Sequence, residues 1–273
     1  MTQEIERVVV PLDAAAETGT AIDTAARLAA RWQVPLHGVF IEDEELIGLA
    51  GLPFARQVTL GAGLEPLTRD QVEDHLRAFA ERVRRELSAV ADRHDVKWSF
   101  ETVRGPLAPD TRGGEHDFVV AGAESRAIGD HFRIASRWSS WMAIFARPFL
   151  LAKRGWETGG SVLILLRRRD PKSARTLDIA AQIAGFCGGT LTVAGAPDVA
   201  GSGDFTAWVS ELLEGHSLNL QTEPAATEPA ELRRRIVELD CRLLVLEAGE
   251  RDAEPEDMRE FVEQLACDVL IIR

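Results

Sequence analysis

Several residues of this chain are of types that could do chemistry, and the basic clusters are the first to consider. Arg167-Arg168-Arg169 follows the apolar run Val162–Leu166. The carboxyl end of a buried strand is where open α/β sheets hold anions, so a phosphate or carboxylate site and a solvated turn are both readings of this run. Arg233-Arg234-Arg235 stands at helical spacing from Glu231 and Glu238, a pattern of ion pairing on a solvated face. His37, His75, His94, His116, His131 and His216 are scattered without metal-ligand spacing, and no order of Ser, His and Asp suggests a nucleophilic triad. No catalytic residue and no metal site is expected. Cys187, Cys241 and Cys267 are odd in number and lack CxxC spacing, which argues against a disulfide framework or structural zinc and for a reducing compartment. Trp138, Trp141, Met142 and Phe145 crowd one helical stretch, as core packing would, or as an apolar pocket or partner surface would. After the first strand, Asp13-Ala14-Ala15-Ala16 does not supply the G-x-G-x-x-G of a dinucleotide-binding dehydrogenase.

The elements that must position these residues alternate regularly. Arg7–Asp13 is a continuous apolar strand of the kind buried on both faces of a parallel sheet. A helix follows over 17–33, with Ile22, Ala25, Ala26, Ala29 and Trp32 on one stripe. A strand is expected at 36–41, then a long, Gly-rich mobile loop or lid over 42–66, the most mobile internal segment. The helix of 68–94 carries Val72, Leu76, Phe79, Val83, Leu87 and Val90 on its apolar face and opens on the capping-box pattern Thr68-x-x-Gln71. Strands at 97–103, 118–121 and 149–152 complete the unit. They are separated by a short helix after Gly105-Pro106, a loop over 122–133 and a helix over 134–146.

The order then restarts after a glycine-rich stretch, residues 155–160. Strands are expected at 162–166, 190–194, 218–222, 243–246 and 269–272, with helices at 173–187, 205–213, 229–239 and 255–265. Asp23-Thr24-Ala25-Ala26-Arg27-Leu28-Ala29 lies 155 positions before Asp178-Ile179-Ala180-Ala181-Gln182-Ile183-Ala184, and Pro148–Lys153 lies 120 positions before Asp268–Arg273. The second copy is therefore 35 residues shorter, mostly at the lid loop and second helix. Two domains are expected, 1–154 and 160–273. Their apolar closing strands, 149–152 and 269–272, are expected to pair, because uncovered edges invite pairing.

Two copies of this order, each with a hydrophobic first strand and an apolar closing strand ending in a basic residue, resemble a tandem universal stress protein over essentially the whole chain. The resemblance implies an α/β fold of two open, five-stranded, Rossmann-like parallel sheets with ligands beyond the carboxyl ends of the strands. In nucleotide-binding members the first strand ends in an Asp that contacts adenine, and Asp13 matches it. The family's Gly-x2-Gly-x9-Gly-Ser/Thr phosphate frame falls on Gly122, Ser125, Ala135 and Ser136, so the first glycine and final serine are kept and two glycines are replaced. Asp13, Gly122, Ser125 and Ser136 are thus the candidate nucleotide residues. ATP binding is expected to be weak or absent, with Arg126, His131 and Arg133 as further charges in the same loop. In the second copy the 155-residue offset places Arg168 at the position of Asp13. Its fourth strand runs into Glu247-Ala248-Gly249-Glu250, so no second ATP site is expected.

The bulk properties agree with a binding protein. The formal charge is −13, concentrated after residue 154, and a negative field repels phosphate backbones and anionic lipid. Nucleic acid and membranes are not expected partners. No apolar run approaches about 18 residues, and the first 20 residues lack a basic region followed by an apolar one, which points to the cytoplasm. The reading is a non-catalytic tandem stress-response module that binds a protein partner and a small-molecule ligand. The alternative is an ATP-binding or slowly ATP-hydrolysing protein that uses Asp13, Gly122 and Ser136.

Overall fold

In this computed structural model the described residues are 5–14, 18–50, 52, 56–59, 63–105, 114, 116–123, 127–128, 132–133, 148–155, 159–201, 204–226, 228–247 and 260–272. The chain opens with β1 (Arg7–Leu12), α1 (Gly19–Trp32), β2 (Leu36–Glu42) and α2 (Glu44–Ala50). The hairpin β3 (Arg56–Thr59) and β4 (Gly63–Pro66) and the long α3 (Arg69–Arg93) follow. Next come β5 (Trp98–Arg104), β6 (Asp117–Gly122), the short ribbon β7 (Ala127–Ile128) and β8 (Phe132–Arg133), and β9 (Phe149–Ala152). The second run has β10 (Ser161–Leu166), α4 (Pro171–Cys187), β11 (Thr190–Gly195), α5 (Pro197–Ala200) and α6 (Phe205–Leu212). It closes with β12 (Asn219–Pro224), α7 (Pro229–Glu238), β13 (Cys241–Glu247) and β14 (Asp268–Ile272).

Ten strands form one sheet in the order β12-β11-β10-β13-β14-β9-β6-β1-β2-β5. Every neighbouring pair is parallel except β14 and β9, which run antiparallel with Val269 opposite Leu151 and Ile271 opposite Phe149. The pairing that the apolar closing strands call for is therefore present, and it joins two parallel five-stranded runs. Because the joint is antiparallel, the carboxyl ends of the two runs point to opposite ends of the sheet. Asp268 pins this joint by accepting the backbone N–H groups of Lys153 and Arg154 at 2.7 and 3.0 Å.

Central strands such as β1, β6 and β9 are almost wholly buried, as strands in the middle of parallel sheets are. One face packs α1, α3 and α4 through Ile22, Leu28, Val83, Leu87, Leu177 and Ile183. Trp32 bridges the runs on that face: its Nε1–H donates to Gln182 Oε1 at 2.9 Å and its ring meets Phe118 and Phe186 edge-on. The helix termini follow local rules. Thr68 and Gln71 form the capping box of α3, and Asp170 accepts the Ser173 N–H at 2.8 Å ahead of a proline at the first helical position of α4.

Three expectations are corrected. The loop over 42–66 contains α2 and the β3–β4 hairpin: Ile47 and Ala50 are buried against the core, so a four-residue apolar stripe too short to stand out in sequence makes a helix. The loop over 122–133 contains the β7–β8 ribbon. The repeat offset also changes at the first strand. Leu12 pairs with Phe40 and Leu166 with Gly195. Phe40 and Gly195 keep the spacing of 155, whereas Leu12 and Leu166 lie one position closer, so Arg167 and not Arg168 stands in the place of Asp13. The helices expected after Pro106 and over 134–146 lie outside the described residues, as do Trp138, Trp141, Met142 and Phe145. Of the helix expected at 255–265, residues 260–263 are described and helical.

Candidate functional site

From β1 the chain proceeds to β2 and β5 on one side, then crosses to β6 and β9 on the other. The crevice between the carboxyl ends of β1 and β6 is therefore the point where strand order reverses, which is where open α/β sheets bind ligands. Asp13 follows β1 there and is 5% exposed. Gly122 ends β6 and is buried too. The two strands pair from Arg7 opposite Asp117 to Val9 opposite Val119. The Ala123 N–H donates to Ala152 O, so the end of β6 is held against β9. Asp13 and Gly122 thus stand at the carboxyl ends of the two strands that flank the switch point. Ser125, Ala135 and Ser136 lie outside the described residues, as do Arg126 and His131. Of Arg133 only the backbone, in β8, is described.

The surroundings of this crevice are acidic. The Thr18 hydroxyl donates to Glu86 Oε2 at 3.2 Å instead of capping α1, and Glu86 Oε1 would lie 3.2 Å from a Cβ placed on Gly19, at the first turn of that helix. A carboxylate therefore already sits against the positive end of α1. At the same end of the sheet Arg104 is held between Glu42 at 3.0 Å and Glu73 at 3.4 Å, and its hydrogen bond to Glu42 raises its pKa further. Gly105, at φ +89°, turns the chain out of β5 directly against the Glu44 carboxylate, where a side chain would be strained. Sequence reading missed Glu86. Its signal was a glutamate beside Leu87 and Val83 on the buried stripe of α3.

In the second run the equivalent switch point lies between β10 and β13. Arg167 occupies the place of Asp13, and its backbone N–H faces the Glu247 carboxylate at 3.4 Å. The space beyond β11 is filled from within. The Phe205 ring lies against Gly195 so closely that a Cβ on that glycine would meet Cζ at 2.8 Å. Trp208 stacks on Phe205, and Arg169 lies over the Trp208 ring while pairing with Asp204 at 2.6 Å. Arg169 is thus engaged with acidic and aromatic neighbours. Arg235, in the other arginine run, pairs with Glu223 and Glu238, as the ion-pairing reading of that helix expects.

A search of family models gives no match, and neither does a search of curated proteins. Solved structures do match. A universal stress protein from Archaeoglobus fulgidus DSM 4304 superposes with a TM-score of 0.67 at 12% identity, over 100% of this chain and 97% of that one. A putative universal stress protein from Pseudomonas aeruginosa UCBPP-PA14 gives 0.57 at 17% identity, over 99% and 94%. The chain has the universal-stress-protein fold. A functionally unknown protein from Pseudomonas aeruginosa PAO1 shares that fold with a TM-score of 0.56 at 18% identity, over 99% and 93%. The match to universal stress proteins spans both five-stranded runs. Among the described residues no helix is long and apolar enough to cross a membrane, and no cluster of three or more His, Cys, Asp or Glu is arranged for a metal.

Proposed function

We propose that this chain is a non-catalytic tandem universal stress protein, a stress-response binding and signalling module of two domains, 1–154 and 160–273. Its ligand crevice lies at Asp13 in the first domain, and the corresponding crevice of the second domain is lost. The observation that carries this reading is the contrast between the two switch points. One has buried Asp13 after β1 and Gly122 at the end of β6, and at the other Arg167 stands in the place of Asp13 against Glu247 while Phe205, Trp208 and Arg169 fill the neighbouring space beyond β11. A domain with a closed crevice but an intact sheet serves as a partner or regulatory surface. The cytoplasm suits three buried free thiols.

The kept Asp13 and Gly122 favour a second reading, an ATP-binding or slowly ATP-hydrolysing protein. Three features weigh against it: Ser125 and Ala135 replace glycines where backbone donors approach phosphate, Glu86 sits at the first turn of α1, and the charge is −13. Losing two charge-assisted hydrogen bonds of about 1.5–3 kcal/mol each moves a micromolar site to roughly 0.1–10 mM. Isothermal titration with Mg-ATP on the full chain and on Asp13→Ala tests this. Weak or flat heats are expected in both, whereas micromolar affinity abolished by Asp13→Ala establishes the second reading.

A further inference from the structure

Cys241 and Cys267 lie on neighbouring strands at the amino ends of β13 and β14. A fault in the sheet turns them toward each other. Ser161 pairs with Cys241 but Val162 with Leu243, so Arg242 is an extra residue in β13. A bulge of this kind re-aims the side chain beside it. Without it Cys241 would share the face of Leu243 and Val245; with it Cys241 packs with Leu244 and Leu246, the face that Cys267, Val269 and Ile271 also occupy. The Cys241 thiol donates to Leu243 O at 3.2 Å. Leu243 is opposite Asp268, so Cys267 is opposite Arg242 and one residue diagonal from Cys241. Strands about 4.8 Å apart with about 3.3 Å of rise put diagonal Cα atoms about 5.8 Å apart, inside the span of about 4.4–6.8 Å that a disulfide bridges.

We propose that Cys241 and Cys267 form an oxidisable dithiol that closes an internal disulfide when a hydroperoxide reaches it. Cys267 is the attacking thiol. The Cys241 thiol and the charge of Lys153 hold its pKa below the ordinary range, while the same pairing and burial push Cys241 up. Lys153 is fixed there by donating to the carbonyls of Val262 and Leu265. The Cys267 thiolate attacks one peroxide oxygen, the O–O bond breaks, and the leaving hydroxide takes a proton to become water. Cys241 sulfur then attacks the Cys267 sulfenic acid, and the S–O bond breaks as its oxygen leaves as the second water. Two thiols and one hydrogen peroxide thus give one disulfide and two waters. Access for a small oxidant comes from the rim, because Cys241 follows exposed Asp240 and Cys267 follows exposed Ala266. Cys187 is buried on the opposite face of the sheet and takes no part.

The test is hydrogen peroxide on the folded full chain, followed by quenching, denaturation and alkylation of the remaining thiols. The expected product is a monomer in which one of the three thiols, Cys187, is still alkylated. A cross-linked peptide pair should carry Cys241 and Cys267, and dithiothreitol should restore all three thiols. Cys241→Ser should stop at a Cys267 sulfenic acid that dimedone traps, and Cys187→Ala should still close the disulfide. Oxidation of the pair only in urea, a disulfide between two chains, or a bond involving Cys187 overturns the proposal.

Discussion

At the scale of single residues, burial sets the sign of what a charge contributes. Asp268 accepts two backbone hydrogen bonds at the joint of the two runs, yet its burial outweighs them and raises its pKa above 3.8. The folded protein therefore binds that proton more tightly than the unfolded chain. Stability from this group is complete below 3.8 and is lost as pH rises through the higher folded value. An asparagine keeps the acceptor oxygen without the charge. In urea titrations Asp268→Asn should match or exceed the wild type at neutral pH, and the gap should close in the wild type's favour as pH falls toward 3.8. A wild type that stays more stable at neutral pH would show that the charge, through Lys153, is worth more than its burial costs. Gly160 gives a simpler case: at φ +97° its Cβ would overlap Arg242 Cγ. Gly160→Ala should lower stability by about 1–3 kcal/mol, read as a shifted urea midpoint at constant slope.

At the scale of elements, strands and long helices were legible and short ones were not. The apolar run Val8–Leu12 and the stripe Val72, Leu76, Val83, Leu87 and Val90 carry their periods over enough residues to be read. The helix of Glu44–Ala50 has two turns, and the β3–β4 hairpin has four residues per strand, too few to establish a period against glycine-rich surroundings. The candidate site was half legible. Asp13 and Gly122 are placed by strand ends, but Glu86 and Phe205 reach their crevices through tertiary packing that no local spacing encodes. The one-residue change of offset at the first strand was hidden because residues there are apolar in both copies. Helix caps, by contrast, are local, and Asp170 shows it. The Ser173 N–H holds its pKa below 3.8, so the cap's contribution is present above that value and fades as pH falls through the lower folded one. Asp170→Ala should cost about 1 kcal/mol at neutral pH by urea unfolding, with the difference shrinking in acid. An unchanged midpoint would mean that Pro171 alone sets the start of α4.

At the scale of the whole molecule, the continuous sheet and the Trp32 bridge make the two runs depend on each other. Phe149, Leu150 and Leu151 are fully buried in β9, the strand that β14 pairs with. Urea unfolding should therefore be one cooperative transition, with tryptophan fluorescence and circular dichroism coincident; two separated transitions would show that the runs fold independently. The antiparallel joint has a further consequence, for symmetry. Asp23 with His94 at 3.6 Å and Asp178 with His216 at 3.6 Å are the same contact made twice, so the arrangement is that of a two-fold dimer written in one chain. In a true dimer of identical chains every substitution appears at both crevices at once. Here Arg167 stands at one switch point while Asp13 stays at the other, because the two runs are separate stretches of one chain. The joint also sets the two switch points at opposite ends of the sheet, so a change at one leaves the residues at the other chemically untouched. One chain can therefore carry two different surfaces on one scaffold, a division of labour closed to a symmetric dimer.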